Sequence, residues 1–223
     1  MPTFYIVATP IGNLRDISAR ALDVLKSVDL ILCEDTRVTK KLLAHYQIKV
    51  PTLSYHQHSK LKRVKEIIAF LKQGRNLALV SDAGTPGISD PGAKLINAVL
   101  ERCDNLTLVP IPGPSALTAA VSVCGFSMDR FLFLGFPPAK KKRKKFFEEV
   151  ANSKYPVVFY ESPHRMIKTL LALQSQGRFP ESVVVCRELT KKFETIYRGA
   201  LKEIIPAIKK DKIKGEFVVI IKP

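Results

Sequence analysis

The chain has 223 residues, 46% of them hydrophobic and 25% charged. That is ample apolar material for one large domain or two small ones, and it excludes a disordered chain. A formal net charge of +16 calls for a polyanionic partner, either nucleic acid or a membrane surface. No apolar run approaches the ~20 residues needed to span a bilayer, so nucleic acid is the favoured class.

The N-terminus runs directly into a strand, Phe4 to Ala8, with no basic stretch ahead of it, and so reads as lacking a signal peptide. Thr9-Pro10-Ile11-Gly12-Asn13 is the following turn. Leu14, Ile17, Ala21, Leu22 and Leu25 then recur at helical spacing. Leu30–Cys33 reads as a second, buried strand ending at Glu34-Asp35-Thr36-Arg37, with a helix through Leu42, Leu43 and Tyr46. An acid at the end of a second strand suits a dinucleotide fold. The first turn excludes one, because a single glycine stands where the G-x-G-x-x-G cradle needs three.

Thr52–Tyr55 is a short strand, followed by His56-Gln57-His58 and a helix from about 59 to 72. Two histidines without a third ligand at suitable spacing do not make a zinc site, so no metal is expected. The four cysteines (Cys33, Cys103, Cys124 and Cys186) form no C-x-x-C pair and read as small buried residues of a reducing, cytoplasmic protein.

The stretch Ser81–Gly92, SDAGTPGISDPG, lies between the buried strand 76–80 and a helix over 93–100. Twelve turn-forming residues far exceed the usual ~2–6 of such a connection. A strand, a Gly- and Pro-rich loop and a helix are where open α/β proteins place ligands. After a strand over 106–109, Pro110–Ala116 stiffens the path, and Ser115 is placed to cap a helix over 116–123. The free N–H groups of that helix start suit an anion, although a plain cap after a hinge fits equally. A domain boundary is expected here, giving units 1–113 and 114–223.

In the second half, Phe131–Phe136 reads as an apolar strand, followed by Pro137-Pro138 and the basic run Lys140, Lys141, Lys142, Arg143, Lys144 and Lys145 at a helix start. Six adjacent cations repel one another unless an anion lies across them, and phosphate contact is the favoured reading. Strands are expected over 157–160, 182–186, 194–198 and 216–221. The short connection 187–193 implies an antiparallel pair.

Several of these stretches together resemble one family. They are Tyr5–Ile17, Cys33–Arg37, Ser81–Gly92, Pro110–Ala116, Asp129–Phe136, Phe159–Arg165 (FYESPHR) and Arg187–Lys191 (RELTK). Nearly end to end, the chain resembles the tetrapyrrole methylase superfamily, and within it the branch acting on small-subunit ribosomal RNA. The resemblance implies a two-domain α/β fold, with a mainly parallel N-terminal sheet and a mixed C-terminal sheet. It also implies a donor site in the interdomain cleft, and a homodimer.

The implied reaction is methyl transfer from S-adenosylmethionine to the 2′-hydroxyl of a cytidine in 16S rRNA at the decoding site. The family commonly continues with a small C-terminal segment, whereas this sequence stops at Pro223. Carried over, the donor contacts are Ile11, Asp82, Thr85, Ser115, Ala116 and Tyr160. A ribose hydroxyl is a poor nucleophile at neutral pH, so a general base is expected. Candidates are Glu34, Asp35, Asp90, Glu161, Glu188 and Lys191, with Glu161 and Lys191 favoured because they stand at strand ends in family motifs. Arg37 and Arg165 join the basic run as RNA contacts, and His164 and Arg187 read as phosphate-binding or organising groups. A tetrapyrrole methylase and a ribosome-associated protein that has lost catalysis are the alternatives.

Overall fold

The computed structural model describes residues 1–56, 59, 61–176, 183–211 and 213–222. His58 and Ser182 lie outside the described residues. Two compact units divide at Ser115/Ala116.

The first unit is built on a five-stranded sheet in which every pair is parallel, in the order β3-β2-β4-β1-β5. The strands are β1 (Thr3–Val7), β2 (Leu30–Cys33), β3 (Thr52–Ser54), β4 (Leu77–Leu79) and β5 (Thr107–Ile111). All four residues of β2 and all three of β4 are buried, as expected of strands covered on both faces by crossover helices. Those helices are α1 (Ala19–Ser27), α2 (Thr36–His45), α3 (Leu61–Lys72) and α4 (Gly92–Leu100). The Ser18 side chain caps α1 by accepting from the Ala21 N–H, and the Asp35 carboxylate caps α2 by accepting from that of Arg37. Phe4, Leu32, Ile67, Leu71 and Leu95 fill the core on one face of the sheet, and Val7, Leu25, Ile31 and Leu43 on the other. Because all five strands run the same way, the loops after β1, β2, β4 and β5 emerge along one edge.

The second unit is a mixed sheet in the order β6-β7-β10-β8-β9. It comprises β6 (Leu132–Phe133), β7 (Val157–Glu161), β8 (Val183–Arg187), β9 (Thr195–Gly199) and β10 (Phe217–Ile221), with α5 (Ala116–Val123), α6 (Arg143–Asn152), α7 (Met166–Gln174) and α8 (Leu201–Lys210). Only β6–β7 is parallel; β8 and β9 pair antiparallel, as their short connection implied. The core joins Phe146, Phe159, Met166, Leu170, Ile204 and Val219. The expected strand over 131–136 shrinks to Leu132–Phe133, because Gly135 takes a left-handed φ of 62° and Pro137-Pro138 cannot extend the ladder. The helix after the basic run begins at Arg143, behind Lys142 at a φ of 65°. No helix among the described residues is long and apolar enough to cross a membrane.

Candidate active site

In the first unit the loops after β1, β4 and β5 are laced together. Thr9 and Gly84 exchange backbone hydrogen bonds of 2.9 and 3.0 Å. The Thr9 hydroxyl donates to the Ser81 carbonyl at 3.2 Å, and the Thr85 hydroxyl to the Pro114 carbonyl at 3.0 Å. Gly84 has a φ of +82°, and a Cβ there would stand 3.3 Å from Ile11 Cγ2 and 3.9 Å from the Ser115 Cα. A side chain would fill the space where these three loops meet. Ile11, Thr85 and Ser115 therefore gather around one glycine.

Ser81–Gly92 is a folded loop rather than a slack connection. The Asp90 carboxylate accepts from the Gly87 N–H at 2.8 and 2.9 Å and from the Gly92 N–H at 2.7 Å. Asp82 is exposed and accepts from the Asp35 N–H at 3.0 Å, tying the loop after β4 to the loop after β2. Four carboxylates (Glu34, Asp35, Asp82 and Asp90) thus meet at one edge of a strongly basic chain. Burial pushes the Glu34 carboxyl above its usual range, and the negative charges of Asp90 and Asp82 push it further. Asp35 goes the other way, to about 2, because it is hydrogen-bonded by the Arg37 side chain and N–H. An acidic edge with open backbone and a close-approach glycine suits a small cationic ligand.

Ala116 and Tyr160 belong to the second unit. The Tyr160 ring packs against Phe133 and Phe136, with centroids 5.0 and 5.4 Å away. Burial raises the Tyr160 phenol above its ordinary range. Its neighbour Glu161 points to the opposite face of β7, as alternation requires. There it is 1% exposed. It accepts from the Ser162 N–H at 2.7 Å, from the Thr169 hydroxyl and from the Arg165 guanidinium at 2.8 Å, and Arg143 stands 3.9 Å away. Glu161, expected as a general base, is the centre of a buried ion-pair knot.

The same knot claims two residues expected on RNA. Arg143 is turned inward, with 12% of its side chain exposed. It donates to the Thr169 hydroxyl at 2.7 Å and the Pro138 carbonyl at 3.2 Å. Arg165 donates to the Pro137 carbonyl at 2.9 Å and the Ser162 hydroxyl at 3.2 Å. By contrast Lys140, Lys141, Lys142, Lys144 and Lys145 are all exposed. Arg37 is also exposed, and its guanidinium is paired with Asp35 at 2.6 Å.

Lys191 pairs with Glu188 at 2.9 Å and Glu216 at 3.2 Å. Burial alone would lower its pKa, but the hydrogen bonds and charges of those two glutamates outweigh it and the ammonium is raised above its usual range. Lys191, the second residue expected as a base, thus sits between two carboxylates that favour its charged form. Burial would raise Glu188, but its bonds from Lys191 and the Glu216 N–H prevail and hold it low. Sequence reasoning missed the partners of Glu161 and the half-exposed ring of Phe136. The first carried no signal in local spacing, and the second was hidden inside an apolar run.

Residues 3–205 match the model of the Tetrapyrrole (Corrin/Porphyrin) Methylases. The chain belongs to that family of methyltransferases. Cobalt precorrin-4 methyltransferase has the same fold, at a TM-score of 0.72 and 17% identity over 98% of this chain and 94% of its own. So does diphthine synthase, at 0.73 and 13% over 98% and 89%.

Much nearer in sequence are proteins named ribosomal RNA small subunit methyltransferase I. The one from Synechocystis is 46% identical over 99% of this chain and 79% of its own length. That from Vibrio cholerae is 47% identical over 99% and 77%. That from Thermotoga maritima is 44% identical over 99% and 98%.

Proposed function

We propose that this protein is an S-adenosylmethionine-dependent methyltransferase of small-subunit ribosomal RNA, acting on the 2′-hydroxyl of a cytidine at the decoding site. The observation that carries this reading is identity above 40% over almost the whole chain to relatives named ribosomal RNA small subunit methyltransferase I; the 2′-hydroxyl, the cytidine and the decoding site rest on the family resemblance. The net charge of +16 and five exposed lysines in one short segment support a polyanionic acceptor.

The donor supplies a methyl group on a positively charged sulfur. Asp82 receives its ammonium group. Thr85 and Ser115 fix the backbone that lines its place, and Ile11 packs against it. Ala116 and Tyr160 are assigned to the donor on the resemblance alone. In-line displacement from a sulfonium needs the two reacting atoms held close and aligned, at ~3–3.5 Å, and much of the catalysis is this positioning. For the proton of the 2′-hydroxyl, Glu34 is the acceptor best suited among the six candidates. Its carboxyl is raised, whereas Asp35 and Glu188 are depressed by their partners, Asp90 is committed to two N–H groups, Glu161 is buried and Lys191 is charged. The protein works as a homodimer in the cytoplasm, on the small subunit or its RNA.

The test is to incubate the protein with methyl-labelled S-adenosylmethionine and unmodified small subunits, naked small-subunit rRNA or a uroporphyrinogen-type substrate, then identify the labelled product. Label in 2′-O-methylcytidine is expected. Label in the tetrapyrrole alone, or donor binding without transfer to RNA, would refute the reading.

A further inference from the structure

Phe136 has an environment unlike that of an ordinary surface phenylalanine. It is 51% exposed, yet its ring is backed by Tyr160, which is backed in turn by Phe133. The chain on either side of it is fixed at three carbonyls: Gly135 accepts from the Tyr160 N–H at 2.9 Å, Pro137 from Arg165 and Pro138 from Arg143. Both arginines converge on the buried carboxylate of Glu161. Scattered apolar side chains are normal on a surface. A ring backed by other rings, with the two prolines that follow it held by a buried charge network, is a preformed platform.

The basic run gives that platform an occupant. Lys140 follows Phe136 by four residues, so their Cα atoms are at most about 14 Å apart. From there Lys140, Lys141, Lys142, Lys144 and Lys145 are all exposed. An exposed aromatic ring followed within a few residues by a run of exposed lysines supplies the two parts by which proteins hold single-stranded nucleic acid, with bases stacking on rings and phosphates meeting cations.

We propose that Phe136 is a stacking surface for an unpaired nucleobase of the RNA substrate, and that the Glu161–Arg143–Arg165 knot positions it. The proposal rests on the RNA reading above and adds to it where one base is held. Stacking is neutral, so it contributes affinity without contributing to the salt dependence that the lysines produce.

The experiment measures binding of a short unstructured, cytidine-containing oligoribonucleotide and of unmodified small-subunit rRNA across a salt series. Wild type, Phe136→Ala and Phe136→Trp are compared, with donor affinity, sedimentation and thermal unfolding recorded alongside. Phe136→Ala is expected to weaken RNA binding about tenfold at an unchanged salt slope. Phe136→Trp is expected to restore it, and donor affinity and oligomeric state to stay as in wild type. Undiminished RNA affinity in a folded Phe136→Ala protein would overturn the proposal. So would loss of donor binding, which would assign the ring to the donor, or a change in sedimentation, which would assign it to a protein interface. Failure of the wild type itself to bind or methylate RNA would instead overturn the underlying RNA reading, and that result is separately visible.

Discussion

Glu161 offers the sharpest separation between a structural and a catalytic carboxylate. Its oxygens receive the Ser162 N–H, the Thr169 hydroxyl and the Arg165 guanidinium, with Arg143 at 3.9 Å. Removing one partner from a buried, hydrogen-bonded charge network costs about 3–5 kcal/mol, because the opposite charges stay behind uncompensated. Glu161→Ala should reach that range. Glu161→Gln should lose less, about 2–3 kcal/mol. It keeps the shape and one acceptor, while Arg143 and Arg165 retain the Pro138 and Pro137 carbonyls. For a chain of this length 1 kcal/mol moves the melting temperature by roughly 2–4 °C, so Glu161→Ala should melt about 10 °C lower. Urea and thermal unfolding give the stability, and turnover is measured where each variant is still folded. Both variants should turn over near the wild-type rate once folded and saturated with RNA, since the loosened Phe136 platform acts on RNA affinity. An unchanged melting temperature with kcat reduced more than about 100-fold would mark Glu161 as the base and refute the reasoning.

Other expectations follow from the same geometry. Replacing Lys140, Lys141, Lys142, Lys144 and Lys145 with Gln, while sparing Arg143, should flatten the salt dependence of single-stranded RNA binding by up to about 3.5 units of slope. Donor affinity should not change, and an unaltered slope would remove the run from the interface. Glu34→Gln should lower kcat without weakening donor binding. The wild-type rate should rise with pH through a carboxyl titration above the ordinary range, because only the deprotonated form accepts a proton; the variant should lack that limb, and its persistence would clear Glu34 of the role. Gly215→Ala should destabilise by more than about 1 kcal/mol, read by urea unfolding. Its φ is +94° and a Cβ there would lie 2.3 Å from the Glu188 carboxyl carbon; full stability in the variant would show that Glu188 moves aside freely.

Much of the fold could be read from the chain because its strands are short, uniformly buried runs. Leu30–Cys33 and Val183–Arg187 are buried at every position, so periodicity needed no tertiary correction. The loop 81–92 stood out by its length and its turn residues, and its hydrogen bonds use those residue types: Asp90 on two N–H groups, Gly84 in a left-handed turn. What could not be read was which charges face each other. Glu161 meets cations from 18 residues earlier and 4 later, and the pairing exists only because α6 and α7 pack on one face of β7. Phe131–Phe136 misled for a related reason. Its apolar residues signal burial in a strand, but Phe133 and Phe136 pack on Tyr160 rather than in the core, and a left-handed Gly135 ends the pairing.

The charge pattern explains how one small protein serves two substrates of opposite sign. A cationic donor would be repelled by a surface carrying the full basic surplus, and RNA would be repelled by an acidic one. The chain resolves this by concentrating Glu34, Asp35, Asp82 and Asp90 on the strand-end loops of the first unit, and five exposed lysines in one segment of the second. Arg143 and Arg165 are drawn inward by Glu161 and hold the loop that carries Phe136, which leaves the exposed positive charge of that segment to the lysines. Donor affinity and RNA affinity should therefore respond to separate sets of substitutions. Asp82→Asn should weaken the donor alone, and loss of the lysines the RNA alone. Parallel titrations of both ligands against both variants test this, and a variant that weakens both ligands equally would show that the two charge groups act as one field.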